Sequence, residues 1–427
     1  MAVKIVRQPN KVVLLGAPTS AAAMSAGHEG APSALRKAGL VDRLTSIGYQ
    51  VNDLGDHPLE IYKPDEESPR ARNIPGVMRA LEALKPRVEQ AVKSGALPLI
   101  LSGDCSVALA TVAGARRYFR NVSLIYMDRD ADLNTPATTP SGCVDGMVVS
   151  HLTGRGAAEL VRFWGEPPLV REPDLAVFGV DRLDPSEEEV LRRSPVRRYL
   201  ADDVKRMGAS AAARTAIERV HGNGYQFILH FDVDVIADFQ ATDYPGSGGL
   251  TLEDVRAALE VFSQQKHLAA IEVTAFNPTK DSDGSAAKTI VELLVNALEK
   301  RLESAEAPAE TSVAAAEDST KEAASGPSPE SAAKADAGTI ETSPPPVHAR
   351  DAWSSDALRE ETAVSTNESA MAEESGEPGG SAGGREESPE SKNEAHETRE
   401  ESPQTSANGQ LEEESSADSA DSEKRSA

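Results

Sequence analysis

Residues 125–147, IYMDRDADLNTPATTPSGCVDGM, set Asp128, Asp130 and Asp132 at every second position directly after an apolar run of strand length. Alternate residues of an extended chain face the same side, so the three carboxylates are predicted to point one way. A second run, QFILHFDVDV at 226–235, ends in the same manner with Asp232 and Asp234. Carboxylates at the ends of buried strands are costly when nothing compensates them. Five of them converging call for cations, and oxygen-rich ligand sets suit hard divalent ions such as Mn2+ or Mg2+. Two ions match this much negative charge better than one. A solvated acidic turn would explain either cluster alone; two clusters, each behind a fully apolar strand, point to a metal site.

Apolar runs of strand length recur at 11–16, 49–55, 97–104, 122–128, 175–180, 226–235 and 268–276, with helical patterns between them around 31–47, 74–94, 106–118, 186–193, 251–264 and 284–303. This alternation predicts an α/β fold, a mainly parallel sheet covered by helices on both faces. In such sheets the ligand crevice lies beyond the carboxyl ends of the strands. SGDCS, DRDADLN, DVDV and EVTAFNP all fall there.

The formal charge of −25 is unevenly spread. Residues 301–427 hold 10 Lys or Arg against 30 Asp or Glu, a net −20, which leaves −5 for the first 300 residues. The acidic end is rich in Glu, Ser, Ala, Pro and Gly, and such a composition buries too little surface to offset ordering entropy. The expected division is therefore a domain over 1–304 and a disordered acidic tail over 305–427, whose partner the sequence does not identify. An acidic polyelectrolyte repels nucleic acid, so no nucleic-acid partner is expected. No stretch is apolar enough to span a membrane and the N-terminus lacks a signal-peptide pattern, so the expected location is cytoplasmic, with no membrane partner. Two cysteines, Cys105 and Cys143, are too few for a disulfide framework.

Over residues 11–300 the chain resembles the arginase and agmatinase (ureohydrolase) family. GHEGAPSALRKAGL looks like the family's substrate-side loop and first helix, SGDCS like its GGDHS, and DRDADLN like its DAHxDxN. SGCVDGM looks like its SGNxHGxP, FDVDV like its FDxDxxDP, and EVTAFNP like its E-x-NP. The resemblance implies a three-layer α/β/α domain that hydrolyses a guanidinium group to urea with hydroxide bridging two Mn2+ ions. It also implies a homo-oligomer, a trimer or hexamer. By position, Asp128 and Asp232 would bridge the two ions, with Cys105 and Asp132 completing one and Asp130 and Asp234 the other. Glu272 would pair with the guanidinium nitrogens of a small guanidino substrate. Asn134, Thr139 and Ser141 match positions that grip the α-carboxylate of arginine, and Asp184 and Glu187 match acidic groups around its α-amino end. Cys143 replaces the Asn of SGN, and Tyr244 stands where arginases tend to have a small Thr.

All three site histidines of the family are replaced: Cys105 and Asp130 stand at ligand positions, and Asp145 stands at the proton-shuttling position. Cys and Asp are metal ligands, so the coordination count survives while the charge does not. Five Asp against two divalent ions leave about −1, or about −2 with a Cys105 thiolate, and extra negative charge weakens Lewis acidity. His230 shares parity with Asp232 and Asp234 and returns an imidazole to the region, either as a site group or as a buried hydrogen-bonded residue. Arg129 is expected by parity to point behind the sheet, His151 to be a packing residue, and His28 to sit near the site mouth. The expected function is hydrolysis of a guanidino compound, L-arginine to ornithine and urea. One alternative is a catalytically silent family member that binds metal or ligand; another is an agmatinase or formiminoglutamase-type hydrolase.

Overall fold

Four strands, β3 (Leu97–Ser102), β4 (Val122–Met127), β5 (Leu175–Val180) and β8 (Leu268–Thr274), are buried along their whole length in the computed structural model, which describes residues 5–220 and 225–306. Burial on both faces is what a sheet between two helical layers requires. With β1 (Lys11–Ala17), β2 (Gln50–Asp56), β6 (Arg197–Leu200) and β7 (Gln226–Asp232) they form one eight-stranded sheet in the order β2-β1-β3-β8-β7-β4-β5-β6. Every strand pairing in it is parallel. The edge strands are the polar ones: β2 is largely exposed, and β6 begins with Arg197 and Arg198. Charged residues at an edge discourage pairing with another chain, and a four-residue strand with two arginines gives no apolar run to read.

Two groups of helices flank the sheet. Ile74–Lys93 packs on Val107–Arg116 in one group; in the other, Leu252–Ser263 packs between Ala209–Val220 and Ser285–Glu306. The helix expected over 31–47 is two, Ala31–Lys37 and Leu40–Ser46, because Gly39 between them adopts φ 90°. The last helix runs to Glu306, two residues past the expected end of the domain, and the rest of the tail, 307–427, lies outside the described residues. No helix among the described residues is long and apolar enough to cross a membrane.

The order β3-β8-β7-β4 at the middle of the sheet places the carboxyl ends of four strands side by side. Gly103, just past β3, lets this edge close up: a Cβ there would lie 1.9 Å from the Thr19 carbonyl oxygen.

Candidate metal and substrate site

A cavity of about 330 Å³ opens beyond these strand ends, a size typical of small-molecule sites. Asp128, Asp130, Asp132, Asp232 and Asp234 all line it. Strand alternation does not aim them. β4 ends at Met127 and β7 at Asp232, so most of these carboxylates sit on the turns that follow. Asp128 accepts from the Asp130 amide and Asp232 from the Asp234 amide, each at 2.7 Å. Asp132 bends back with φ 50° and accepts a hydrogen bond from the Tyr126 hydroxyl.

The potential ligand atoms form two groups. In the first, Cys105, Asp128, His230 and Asp232 offer atoms within 4.8 Å of one another, all from buried residues. Cys105 Sγ donates to Asp232 Oδ2 at 2.9 Å. His230 Nδ1 meets Glu272 Oε2 at 2.7 Å, and its Nε2 lies 3.2 Å from Thr274 Oγ1. Thr274 in turn accepts from Cys105 Sγ at 3.2 Å. Asp132, expected here, is absent from this group. Its carboxyl is drawn aside to Tyr126.

The second group is Asp128, Asp130 and Asp234. Two guanidinium groups already reach it. Arg182 Nε donates to Asp130 Oδ1 at 2.5 Å and Nη2 donates to Oδ2, with Nη2 also 3.8 Å from Asp234 Oδ2. Arg129 Nη2 lies 3.9 Å from Asp234 Oδ2 and donates to the Tyr244 carbonyl. Arg129 is thus on the site side and not behind the sheet, because the chain has left strand geometry before residue 129. Arg182 is a site residue that the sequence reading missed; the available signal was a lone cation in the acidic segment GVDRLDPSEE beyond β5.

Burial, followed by repulsion from Asp232, Asp132, Asp234 and Asp130, holds Asp128 well above the usual carboxylate range. Burial does the same for Asp232, Asp132 and Asp145, with Asp234 the next cause for Asp232, Asp145 for Asp132, and Asp104 for Asp145. The Cys105 thiol is pushed well up by burial and then by Asp145 and Asp232. A cation relieves both causes, so the first group fits a divalent ion by its donors and its electrostatics. The second group fits one poorly, since two guanidinium groups already occupy that field.

On the substrate side, Asn134, Thr139, Ser141, Asp184 and Glu187 line the cavity. Asp184 caps the helix Pro185–Arg193, accepting from the amides of Ser186 and Glu187, while Asn134 Nδ2 donates to its other oxygen at 2.7 Å. Glu187 closes the capping box and accepts from the Leu133 amide at 3.0 Å; burial raises its pKa to about 7. Asp145 also lines the cavity and accepts from the Cys105 amide at 2.7 Å. His28 is there too, buried, with Nδ1 3.8 Å from Asp243. Tyr244 forms part of the wall.

Three expected site residues are outside the cavity wall, and one of them, His230, is the fully buried member of the first ligand group. Glu272 is a β8 residue in register with His230, fully buried inside the sheet and outside the cavity wall. The E-x-NP spacing puts a residue two positions before Asn277, and that residue is Ala275, which does line the cavity. Cys143 is also missing from the wall: its short side chain turns inward, with Sγ 2.8 Å from Met24 Sδ. His151 is a packing residue as expected, buried and accepting from the Ala157 amide at 3.1 Å.

The model of the Arginase family matches residues 10–299. An arginase of Bacillus subtilis (strain 168) is 30% identical over 294 residues, covering 68% of this chain and 98% of the relative. Among solved structures, arginase from Bacillus cereus aligns with a TM-score of 0.62 at 28% identity, over 67% of this chain and 98% of that one. Formimidoylglutamase from Bacillus subtilis, 18% identical with a TM-score of 0.55, covers 69% and 87% respectively and shares the fold.

Proposed function

Because the chain belongs to the arginase family, we propose that its acidic crevice takes a guanidino compound and hydrolyses it, with L-arginine as substrate and ornithine and urea as products. The observation that carries this reading is that the loop residues Asn134, Thr139 and Ser141 and the buried Cys105–Asp128–Asp232 cluster line one cavity. The Asn134, Thr139 and Ser141 side suits an α-amino acid head group, and the buried acidic cluster suits a cation. Cys105, Asp128 and Asp232 would hold a divalent metal. Such an ion supplies Lewis acidity and eases deprotonation of water at neutral pH.

The chain's own residues do the rest. Asn134, held by Asp184, and the hydroxyls of Thr139 and Ser141 orient the head group. Asp145, whose carboxyl burial keeps prone to protonation, can hold a proton for the departing amine. A cytoplasmic location and a trimeric or hexameric assembly belong to this reading.

A second reading, ligand binding without turnover, is favoured by two observations. Arg182 already presents a guanidinium group to Asp130, and Ala275 stands where the E-x-NP spacing calls for a carboxylate. Urea release from L-arginine, agmatine and formiminoglutamate, with Asp232→Ala as the blank, separates the readings. Turnover lost in the blank supports the hydrolase; no turnover, with calorimetric binding of L-arginine retained, replaces it with the silent binder.

A further inference from the structure

We propose that this centre holds a single divalent ion of the borderline class typified by Zn2+ and Co2+, on Cys105, His230, Asp128 and Asp232, and that the guanidinium of Arg182 stands in place of a second ion. The inference rests on the metal-binding part of the reading above and not on turnover.

His230 brings the imidazole. It sits two residues before Asp232 on β7, and its register partner on β8 is Glu272. Glu272 Oε2 contacts His230 Nδ1 at 2.7 Å. In the tautomer that donates Nδ1–H to Glu272, Nε2 is left with its lone pair on the side of Thr274 Oγ1, which Cys105 Sγ also contacts. Carboxylate, imidazole and metal in line is the usual way a protein fixes a ligating histidine. Glu272 is therefore a positioning residue, which accounts for a carboxylate sealed inside the sheet with its Oε1 unpartnered among the described residues. The imidazole comes from β7, whereas Cys105 lies in the turn that follows β3. One sulfur, one nitrogen and two oxygen donors make a set softer than the all-oxygen ligands that favour Mn2+ or Mg2+.

Arg182 fills the other half. Its fork lies on Asp130, its Cζ lies 4.9 Å from the centre of the Tyr244 ring, and Nη2 lies 3.8 Å from Asp234. Carboxylate in the plane and aromatic ring on the face is a fitted guanidinium seat. Asp130 can pair with this group where a neutral imidazole could not. With one divalent ion, Arg129 and Arg182 offset the four carboxylates Asp128, Asp130, Asp232 and Asp234, and a Cys105 thiolate leaves a single negative charge; a second divalent ion beside both guanidinium groups would overshoot.

The test uses full-length, metal-stripped protein loaded with excess Co2+, desalted, and analysed for metal per chain. The expected result is one ion in the wild type and two in Arg182→Met, with a thiolate-to-cobalt absorption band in both and none in Cys105→Ser. Glu272→Gln is expected to weaken Co2+ binding roughly 10- to 100-fold while retaining the band. Arg182→Gln serves if the methionine variant does not fold, as judged by circular dichroism. Two ions per wild-type chain, or one ion in both Arg182 variants, overturns the role of Arg182 and leaves the hydrolase reading standing. Unchanged Co2+ affinity in Glu272→Gln overturns the role of His230. A folded wild type that binds no ion overturns the inference and the metal-dependent part of the proposed function together.

Discussion

The rings of Tyr126 and His230 lie parallel, 4.1 Å apart at their centroids and 2° between planes, on β4 and β7, where the two residues are register partners. Each ring makes a hydrogen bond sideways, the Tyr126 hydroxyl donating to Asp132 and His230 Nδ1 pairing with Glu272. Tyr126→Phe keeps the stack and removes one of these bonds, leaving a buried carboxyl short of its donor. In metal-free protein it is expected to lower stability by about 1–3 kcal/mol, measured by urea unfolding at neutral pH. A change within error would mean that water or another donor replaces the hydroxyl.

Asp184 and Ser141 both face the cavity, but they differ in what else they hold. Asp184 caps a helix and anchors Asn134, so Asp184→Ala is expected to cost about 1 kcal/mol of stability as well as function. Ser141 caps no helix and accepts from the Cys143 amide at 3.1 Å, so Ser141→Ala should cost less stability than Asp184→Ala. If the head-group reading is correct, Ser141→Ala lowers kcat/KM for L-arginine roughly tenfold and changes agmatine turnover little. Equal losses on both substrates would remove Ser141 from head-group recognition.

His151 is buried in the short helix Val148–Leu152, and burial lowers its pKa to about 4 from an ordinary 6.5. Its Nε2 accepts from Ala157, so the neutral ring is the one the fold uses. Between those two pH values the unfolded chain binds the proton and the folded one does not. The stabilisation is therefore complete above about pH 6.5, falls as the pH drops through the window, and levels off below about pH 4, for a total on the order of 3 kcal/mol. Comparing unfolding of the wild type and His151→Gln at pH 7 and pH 5 checks this: the wild type should lose more on acidification.

Ala275 lines the cavity with φ 64° and already bears the strain a Cβ meets in left-handed backbone. Ala275→Glu adds a carboxylate there without adding that strain. It is expected to tighten L-arginine binding roughly tenfold by a charge-assisted hydrogen bond, read by calorimetry. No gain in affinity would indicate that the guanidinium group is seated elsewhere.

The sheet was legible because parallel strands buried on both faces announce themselves as apolar runs; seven strands fall where such runs were read, although β2 among them is largely exposed, and the short, arginine-bearing β6 gave none. The carboxylates were legible by type, since nothing else explains so many behind buried strands. Their division into ligand sets was not. Alternation stops where β4 stops, at Met127; Asp132 is then held by nearby Tyr126, while Asp130 and Arg129 are directed by Arg182 and Tyr244 from distant segments. Glu272 illustrates the same limit. A motif read with loose spacing placed it in the crevice, whereas strand register binds it to His230. His230 was visible by parity, but its partner was visible only in three dimensions.

β8 slots between β3 and β7, pairing Leu99 with Ile271 and Leu229 with Ile271 in the same row. During synthesis, the first strands leave the ribosome with the inner edge of β3 open, and the residue run that closes it comes almost at the end of the domain. The thiol beyond β3 therefore stays apart from the imidazole and carboxylates, which the β4–β7 pairing gathers, until translation has passed β8, and a nascent chain stalled earlier exposes an apolar strand edge instead of a complete centre. Demand on chaperones, and vulnerability to truncation, should be concentrated in the stretch of translation between β3 and β8.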